Sequence, residues 1–241
     1  MAYPPTSRSE PRLTAAQLAD YVAATSMLSQ LAILRQAKYP GEARALIVQY
    51  QIARKGIAAA LMSPSQEARI LASTRVALEQ RRDDPSSSPF VADDARRSIE
   101  TVDAFERQRN LFDLGGVQFS IAPRSDPLQV NGVEVSVVPD AVCTVSSRQG
   151  GRVGELFVRC AIGGQGEAAE SRRIEANVHL ATIAHMHAAA NLEDLGTPYA
   201  SASMVIDVPR GRLVRGPASI VNRTRNIEAA CTMIAAIWPT I

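Results

Sequence analysis

Gln129–Gly164, QVNGVEVSVVPDAVCTVSSRQGGRVGELFVRCAIGG, is the stretch whose reading decides the fold. Val133, Val135 and Val137 alternate with Glu134, Ser136 and Val138, the period-two pattern of a strand. Asn131-Gly132 just before it suits a two-residue hairpin turn, because both residues tolerate positive φ. Ser147 to Gly151 reads as a second turn and Val153 to Ala161 as a second strand, with Pro139-Asp140 placed inside the first. If the loop runs from Ser147 to Arg152, Ser146 faces Val153, Thr144 faces Glu155 and Asp140 faces Arg159. Directly opposed side chains touch across a sheet, so this register predicts an Asp140–Arg159 ion pair.

Working outward, the 241 residues suffice for one large domain or two smaller ones. Hydrophobic content of 46% and charged content of 21% are those of a soluble globular protein. Aromatics make up only 5%, so Ala, Leu, Val and Ile must build the core. A net charge of +2 neither demands nor excludes nucleic acid. Cys143, Cys160 and Cys231 are far apart in apolar contexts and show no metal-ligand spacing, which fits a reduced, cytoplasmic setting. The amino-terminal MAYPPTSRSEP is polar rather than signal-like, and no apolar run reaches the roughly 18 residues of a membrane span.

Residues 1–12 read as a polar leader, a segment that a protein partner or the domain itself would pin. Residues 13–112 read as helical. Thr14-Ala15-Ala16-Gln17 is a capping box, followed by a helix to about Val22. Thr25 or Ser26 caps the next helix, which Tyr39-Pro40-Gly41 ends. A long helix is expected from Glu42 to Met62, with Leu46, Ile47, Tyr50, Ile57 and Leu61 facing a core. Pro64 suits the first position of a further helix, and DDPSSSP at 83–89 breaks the chain before a helix opened by Asp93 or Asp94. The scattered Arg and Lys of these helices, at 35, 38, 44, 54, 55, 69, 75, 81 and 82, read first as a solvated face, with phosphate binding as the alternative.

Residues 113–241 change character. Gly115-Gly116 precedes short strands at Val117–Ile121 and Leu128–Val130, which lead into the central hairpin. Glu167–Leu192 is a long helix carrying His179, His185 and His187, none four residues from another, so no two-histidine zinc site is present; surface or interface positions are expected for them. Ser203–Val208 is a buried-looking strand, Pro209-Arg210-Gly211 turns it into Arg212–Arg215, and Pro217 is read as starting the last helix. Arg210, Arg212, Arg215, Arg223 and Arg225 form the densest basic cluster, a candidate surface for a phosphate backbone or an acidic partner. No Gly-x-Ser-x-Gly elbow or other activated nucleophile is visible.

This order of elements resembles the PD-(D/E)XK nuclease superfamily, its RecB-like branch in particular. The resemblance implies a Pro-Asp strand, a hairpin turn and a strand ending in Asp/Glu-x-Lys. Two carboxylates would hold a divalent cation, and the Lys would position or activate the attacking water. Pro139-Asp140 matches the first motif. The second falls at Arg159-Cys160-Ala161, ahead of Gly163-Gly164, where Arg replaces the acid and Ala the Lys. Asp140 is then a vestigial catalytic residue. Glu155 is the alternative acid, about 13 Å further along its strand at roughly 3.3 Å per residue.

The expectation is therefore an α+β protein: a helical amino-terminal region, then a restriction-endonuclease-like mixed sheet flanked by helices. Its expected role is a catalytically inactive module binding DNA or a protein in a DNA-processing or mobile-element system, with no cofactor, no metal and no membrane. The competing readings are an active metal-dependent nuclease rearranged around Asp140, and an adaptor with no nucleic-acid role.

Overall fold

The computed structural model describes residues 7–40, 49–147 and 150–241. Two helices lead off: α1 (Ala15–Ala23) and α2 (Met27–Lys38). Thr14 caps α1 with both halves of the capping box, and Ser26 caps α2 through the Ser29 N–H. Residues 42–48, with Leu46 and Ile47 of the expected long helix, lie outside the described residues, as do 1–6 of the leader. Among the described residues α3 is Gln51–Met62, α4 is Glu67–Asp83, and α5 is Pro89–Gln108. Ser88, not Asp93 or Asp94, caps α5, with Pro89 in its first turn. Asp94 is instead buried and accepts the Tyr50 N–H at 2.8 Å.

The leader is shorter than expected. Arg12–Thr14 forms a strand, β1, parallel to β4 (Val133–Ser136), and β3 (Leu128–Val130) completes a three-stranded sheet of order β1-β4-β3. Arg8 is pinned within the chain: its N–H donates to the Lys38 carbonyl, and its own carbonyl accepts from Trp238 Nε1. The turn between β3 and β4 has Asn131 at φ 44° and Gly132 at φ 82°, the left-handed pair that a tight hairpin requires.

The main sheet has the order β2-β5-β6-β8-β9, built from β2 (Val117–Ser120), β5 (Ala141–Ser147), β6 (Gly150–Arg159), β8 (Met204–Asp207) and β9 (Arg212–Arg215). The short β7 (Thr197–Pro198) lies beside β6. β5 and β6 are antiparallel and β6 and β8 parallel, with α6 (Glu167–Asn191) between them in sequence; α7 (Val221–Ile237) closes the chain, starting four residues after Pro217.

Two sequence expectations fail at the hairpin. Pro139-Asp140 is not inside a long strand: the chain leaves the small sheet after Ser136 and joins the main sheet at Ala141. Proline has no N–H for a central ladder, and Pro139 sits in the crossing. The register is also displaced. The strands continue to Ser147 and Gly150, which pair, and Ala141 faces Leu156 while Val142 faces Glu155. The run Gly150-Gly151 reads as loop from sequence but enters the ladder, so Asp140 and Arg159 are not opposed.

The helical region wraps both faces of the main sheet. Phe157, Val205 and Val214 point into a core shared by α1, α2, α6, α7 and the small sheet. Leu156, Val158, Met204 and Ile206 point the other way, to α3, α4 and α5. Gly154 is required at the centre, because a Cβ there would lie 2.3 Å from the Ala202 carbonyl carbon.

Candidate functional site

The site lies where β6 and β8 end side by side. Arg159 closes β6 and Asp207 closes β8, and the two are register partners in the parallel ladder. Leu156–Val158 of β6 and Met204–Ile206 of β8 are apolar on both faces, and the residues that follow them are where polar side chains leave this end of the sheet. α6 lies over these ends and presents Arg173 and Asn177, four residues apart and thus on one face. α1, packed on α6, supplies Asp20.

These side chains form one continuous chain of bonds. Arg159 Nη2 donates to the two Asp20 carboxylate oxygens at 2.7 and 2.9 Å. Arg159 Nη1 donates to Asn177 Oδ1 at 2.9 Å, and Asn177 Nδ2 donates to Asp207 Oδ2 at 2.9 Å. Arg173 grips Asp207 from the other side through Nε and Nη2. It also donates to the carbonyls of Ala161 and Ile162, fixing the loop that follows β6.

Asp140 belongs to a second pair. Its Oδ1 accepts from Arg54 Nε at 3.1 Å and Nη2 at 2.9 Å, and its Oδ2 accepts the Val158 N–H at 2.7 Å. The expected Asp140–Arg159 pair is therefore replaced by Asp140–Arg54 and Arg159–Asp20. The shifted register removes Arg159 from the reach of Asp140, and α3 brings Arg54 there instead. Burial pushes the Asp140 carboxyl up from its ordinary value, against the opposing pull of Arg54 and the Val158 N–H.

Between α1, α3, α6 and the end of β6 is a cleft of about 600 Å³. Arg54, Arg159, Arg172 and Arg173 reach its wall, with Asp20, Tyr50, Gly163 and Gly164. Tyr50 holds a left-handed backbone at φ 59°, unusual for a non-glycine residue. Among the described residues no three His, Cys, Asp or Glu side chains lie close enough together to hold a metal ion. The donor set suits a cation poorly: both Asp140 oxygens already hold donors, and guanidiniums stand where further carboxylates would be needed.

Glu155 is not part of this cleft. Its Oε1 lies 2.6 Å from His187 Nδ1, and both side chains are buried. His187 Nε2 lies 3.1 Å from Ser125 Oγ and 3.1 Å from the Asp126 carbonyl oxygen. The spacing is that of a Ser-His-Glu triad, but the carbonyl decides against one. It can only accept, so the proton sits on Nε2 and the ring cannot take one from Ser125. The array is a latch that ties the loop between β2 and β3 to α6. The expected surface histidines are thus corrected for His179 and His187, both buried because α6 is covered by the sheet on one side and by α1 and α7 on the other. Burial raises all three cysteine thiols, Cys231 to about 12, so none is poised as a nucleophile.

The carboxy-terminal arginines do not form one open patch. Arg210 and Arg212 share Glu170, Arg223 pairs with Glu175, and Arg215 donates to the carbonyls of Ser201 and Asp113. Arg225 is exposed.

No protein-family model matches the chain, and no curated protein is similar to it. No helix among the described residues is long and apolar enough to cross a membrane.

Sequence reasoning missed Asp20, Arg172, Arg173, Asn177 and Asp207 as site residues, and placed Arg54 only among the scattered basic residues of the helices. One signal for Asp207 was available: it is the lone charge in the buried-looking run SMVIDV, and a carboxylate there demands a partner.

Proposed function

We propose that this chain is a nuclease-like module without nuclease chemistry, one that binds nucleic acid or a protein partner of a DNA-processing or mobile-element system. The order of elements supports the resemblance to RecB-like nucleases: Pro139-Asp140 ahead of a hairpin, a strand ending at Arg159, and a long helix laid over that strand end. The observation that carries the loss of chemistry is the Arg159–Asp20 ion pair. Arg159 stands where the family pattern has its second carboxylate. The nearest acid is held by that guanidinium, while Asp140 is held by Arg54. A cation bound there would displace two ion pairs and sit beside fixed positive charge.

The pairing of Arg210, Arg212 and Arg223 with Glu170 and Glu175 favours the cleft over the carboxy-terminal arginines as the binding surface. The test is a cleavage assay with pure protein, Mg²⁺ or Mn²⁺, and linear single- and double-stranded DNA. No cleavage above background is expected from the natural chain or from Asp140→Ala. Robust Mn²⁺-dependent cleavage that Asp140→Ala abolishes would restore the reading of an active nuclease.

A further inference from the structure

We propose that the cleft binds a phosphate monoester directly on guanidinium groups, with Arg172, Arg54 and Arg159 as its donors and no bridging cation. This rests on the reading that the cleft is not a metal site, and it names the ligand class that such a cleft would take.

The donors that remain after the internal bonds define the site. Arg54 lines the cleft and uses Nε and Nη2 on Asp140, leaving Nη1 without a bond to any described residue. Arg159 uses Nη1 and Nη2, leaving Nε. Arg172, on the exposed side of α6, makes no side-chain bond to any described residue, so its whole fork is available. Arg173 is different. Its nitrogens are committed to Asp207, Ala161 and Ile162, and its role is to shape the wall.

Charge points the same way. Four guanidiniums (Arg54, Arg159, Arg172, Arg173) stand against three carboxylates (Asp20, Asp140, Asp207), leaving one net positive charge. The carboxylates are unevenly placed. Asp140 and Asp207 are 9% and 1% exposed at their side chains, behind the arginines, so the open face of the cleft is more cationic than the sum. Planar forks converging from α3, β6 and α6 match an anion with oxygens in three directions. A phosphate monoester has three such terminal oxygens and up to two charges. A carboxylate has two in one plane, and a mid-strand phosphodiester has two and a single charge. The volume of about 600 Å³ lies within the 300–1,000 Å³ range typical of small-molecule sites. It admits one nucleotide-sized body and excludes a duplex. Such a group arises from a free mononucleotide or from the phosphorylated end of a single strand, and both present the same chemistry to the cleft.

The experiment uses the full chain in calorimetry and thermal melts at constant ionic strength. The probes are inorganic phosphate, nucleoside 5′-monophosphates against the parent nucleosides, and a short single strand with and without a terminal phosphate. The expected result is a raised Tm with phosphate and with monophosphates but not with nucleosides. Binding to at least one phosphorylated probe should be at least tenfold tighter than to its unphosphorylated counterpart. Arg172→Glu, which removes no described contact, should abolish that preference with the circular dichroism unchanged. Arg69→Glu, an exposed reversal on α4 away from the cleft, should keep it. A preference confined to the mononucleotides assigns a free ligand, and one shared with the strand assigns a strand end; either supports the site. Equal affinity for phosphorylated and unphosphorylated probes overturns the proposal, as does a preference that Arg172→Glu leaves intact or that Arg69→Glu removes equally. These failures would leave the absence of DNA cleavage untouched, so the two readings are separable.

Discussion

Arg159 and Asp207 are register partners on neighbouring strands, yet they do not pair with each other: Asn177 stands between them, accepting from Arg159 and donating to Asp207, both at 2.9 Å. A fully buried amide thereby separates two opposite charges and lets each take a second partner, Asp20 for Arg159 and Arg173 for Asp207. The strand ends, α1 and α6 are fastened by this one array.

Asn177→Ala should therefore be costly for a change of a few atoms. It removes an acceptor from Arg159 and a donor from Asp207 at a buried position. The expected loss is about 1–3 kcal/mol of unfolding free energy, the usual cost of leaving a buried partner unsatisfied. Urea denaturation measures it, and a loss well below that range would mean that the array does not contribute to stability.

Arg54 and Asp140 should be coupled. Asp140→Ala alone strips the Val158 N–H and the Arg54 guanidinium of their acceptor, and Arg54→Ala alone leaves a poorly solvated carboxylate. The double variant should be more stable than the two single losses added together predict, by about 0.5–3 kcal/mol for contacting residues. A double-mutant cycle by chemical denaturation reads this directly, and strict additivity would show that the pair does not interact in solution.

A pH dependence follows from Glu155. Burial raises its carboxyl above the ordinary value, with the His187 contact opposing. A carboxyl raised on folding favours the folded state below its unfolded pKa of about 4.3, and that contribution is lost as the pH climbs through the folded value. Gln at this position keeps a hydrogen bond with His187 Nδ1 but cannot ionise. Melting curves should show the natural chain losing stability relative to Glu155→Gln as the pH rises through that window. A difference that is flat, or that grows the other way, would mean that the His187 contact outweighs burial.

The carboxy-terminal arginines yield a contrasting expectation. Arg223 is tied to Glu175, and Arg210 and Arg212 to Glu170. Arg223→Glu with Arg225→Glu should lower the Tm by setting like charges against Glu175, while changing affinity for single-stranded DNA by less than about threefold at matched salt. A tenfold loss, with the salt slope reduced by about two, would move the binding surface from the cleft to α7.

How far the sequence leads can be seen in particular residues. Thr14 and Gln17, Asn131 and Gly132, and the valines of β4 are local signals, and each forms what its pattern predicts. The α+β architecture follows from such signals. The site does not, because its partners come from distant parts of the chain: Arg159 meets Asp20 139 residues away, and Asp140 meets Arg54 86 residues away. One two-residue error in register was enough to predict the wrong partner for both. Gly150 and Gly151 caused it, since glycine pairs in a ladder as readily as it turns when the neighbouring strand supplies the bonds. Glu155 was read as the alternative acid because it is the nearest one along the strand; its actual partner, His187, lies 32 residues on and carries no local signal of the contact.

The central claim is that fixed guanidinium charge has taken the place of a metal site around Asp140. The most direct measurement is a Mn²⁺ titration of the pure protein, followed by calorimetry and by the electron paramagnetic resonance of free Mn²⁺, on the natural chain and on Asp140→Ala. The account predicts no saturable site in the micromolar to low millimolar range and no difference between the two proteins. One saturable site, present in the natural chain and lost in Asp140→Ala, would contradict it.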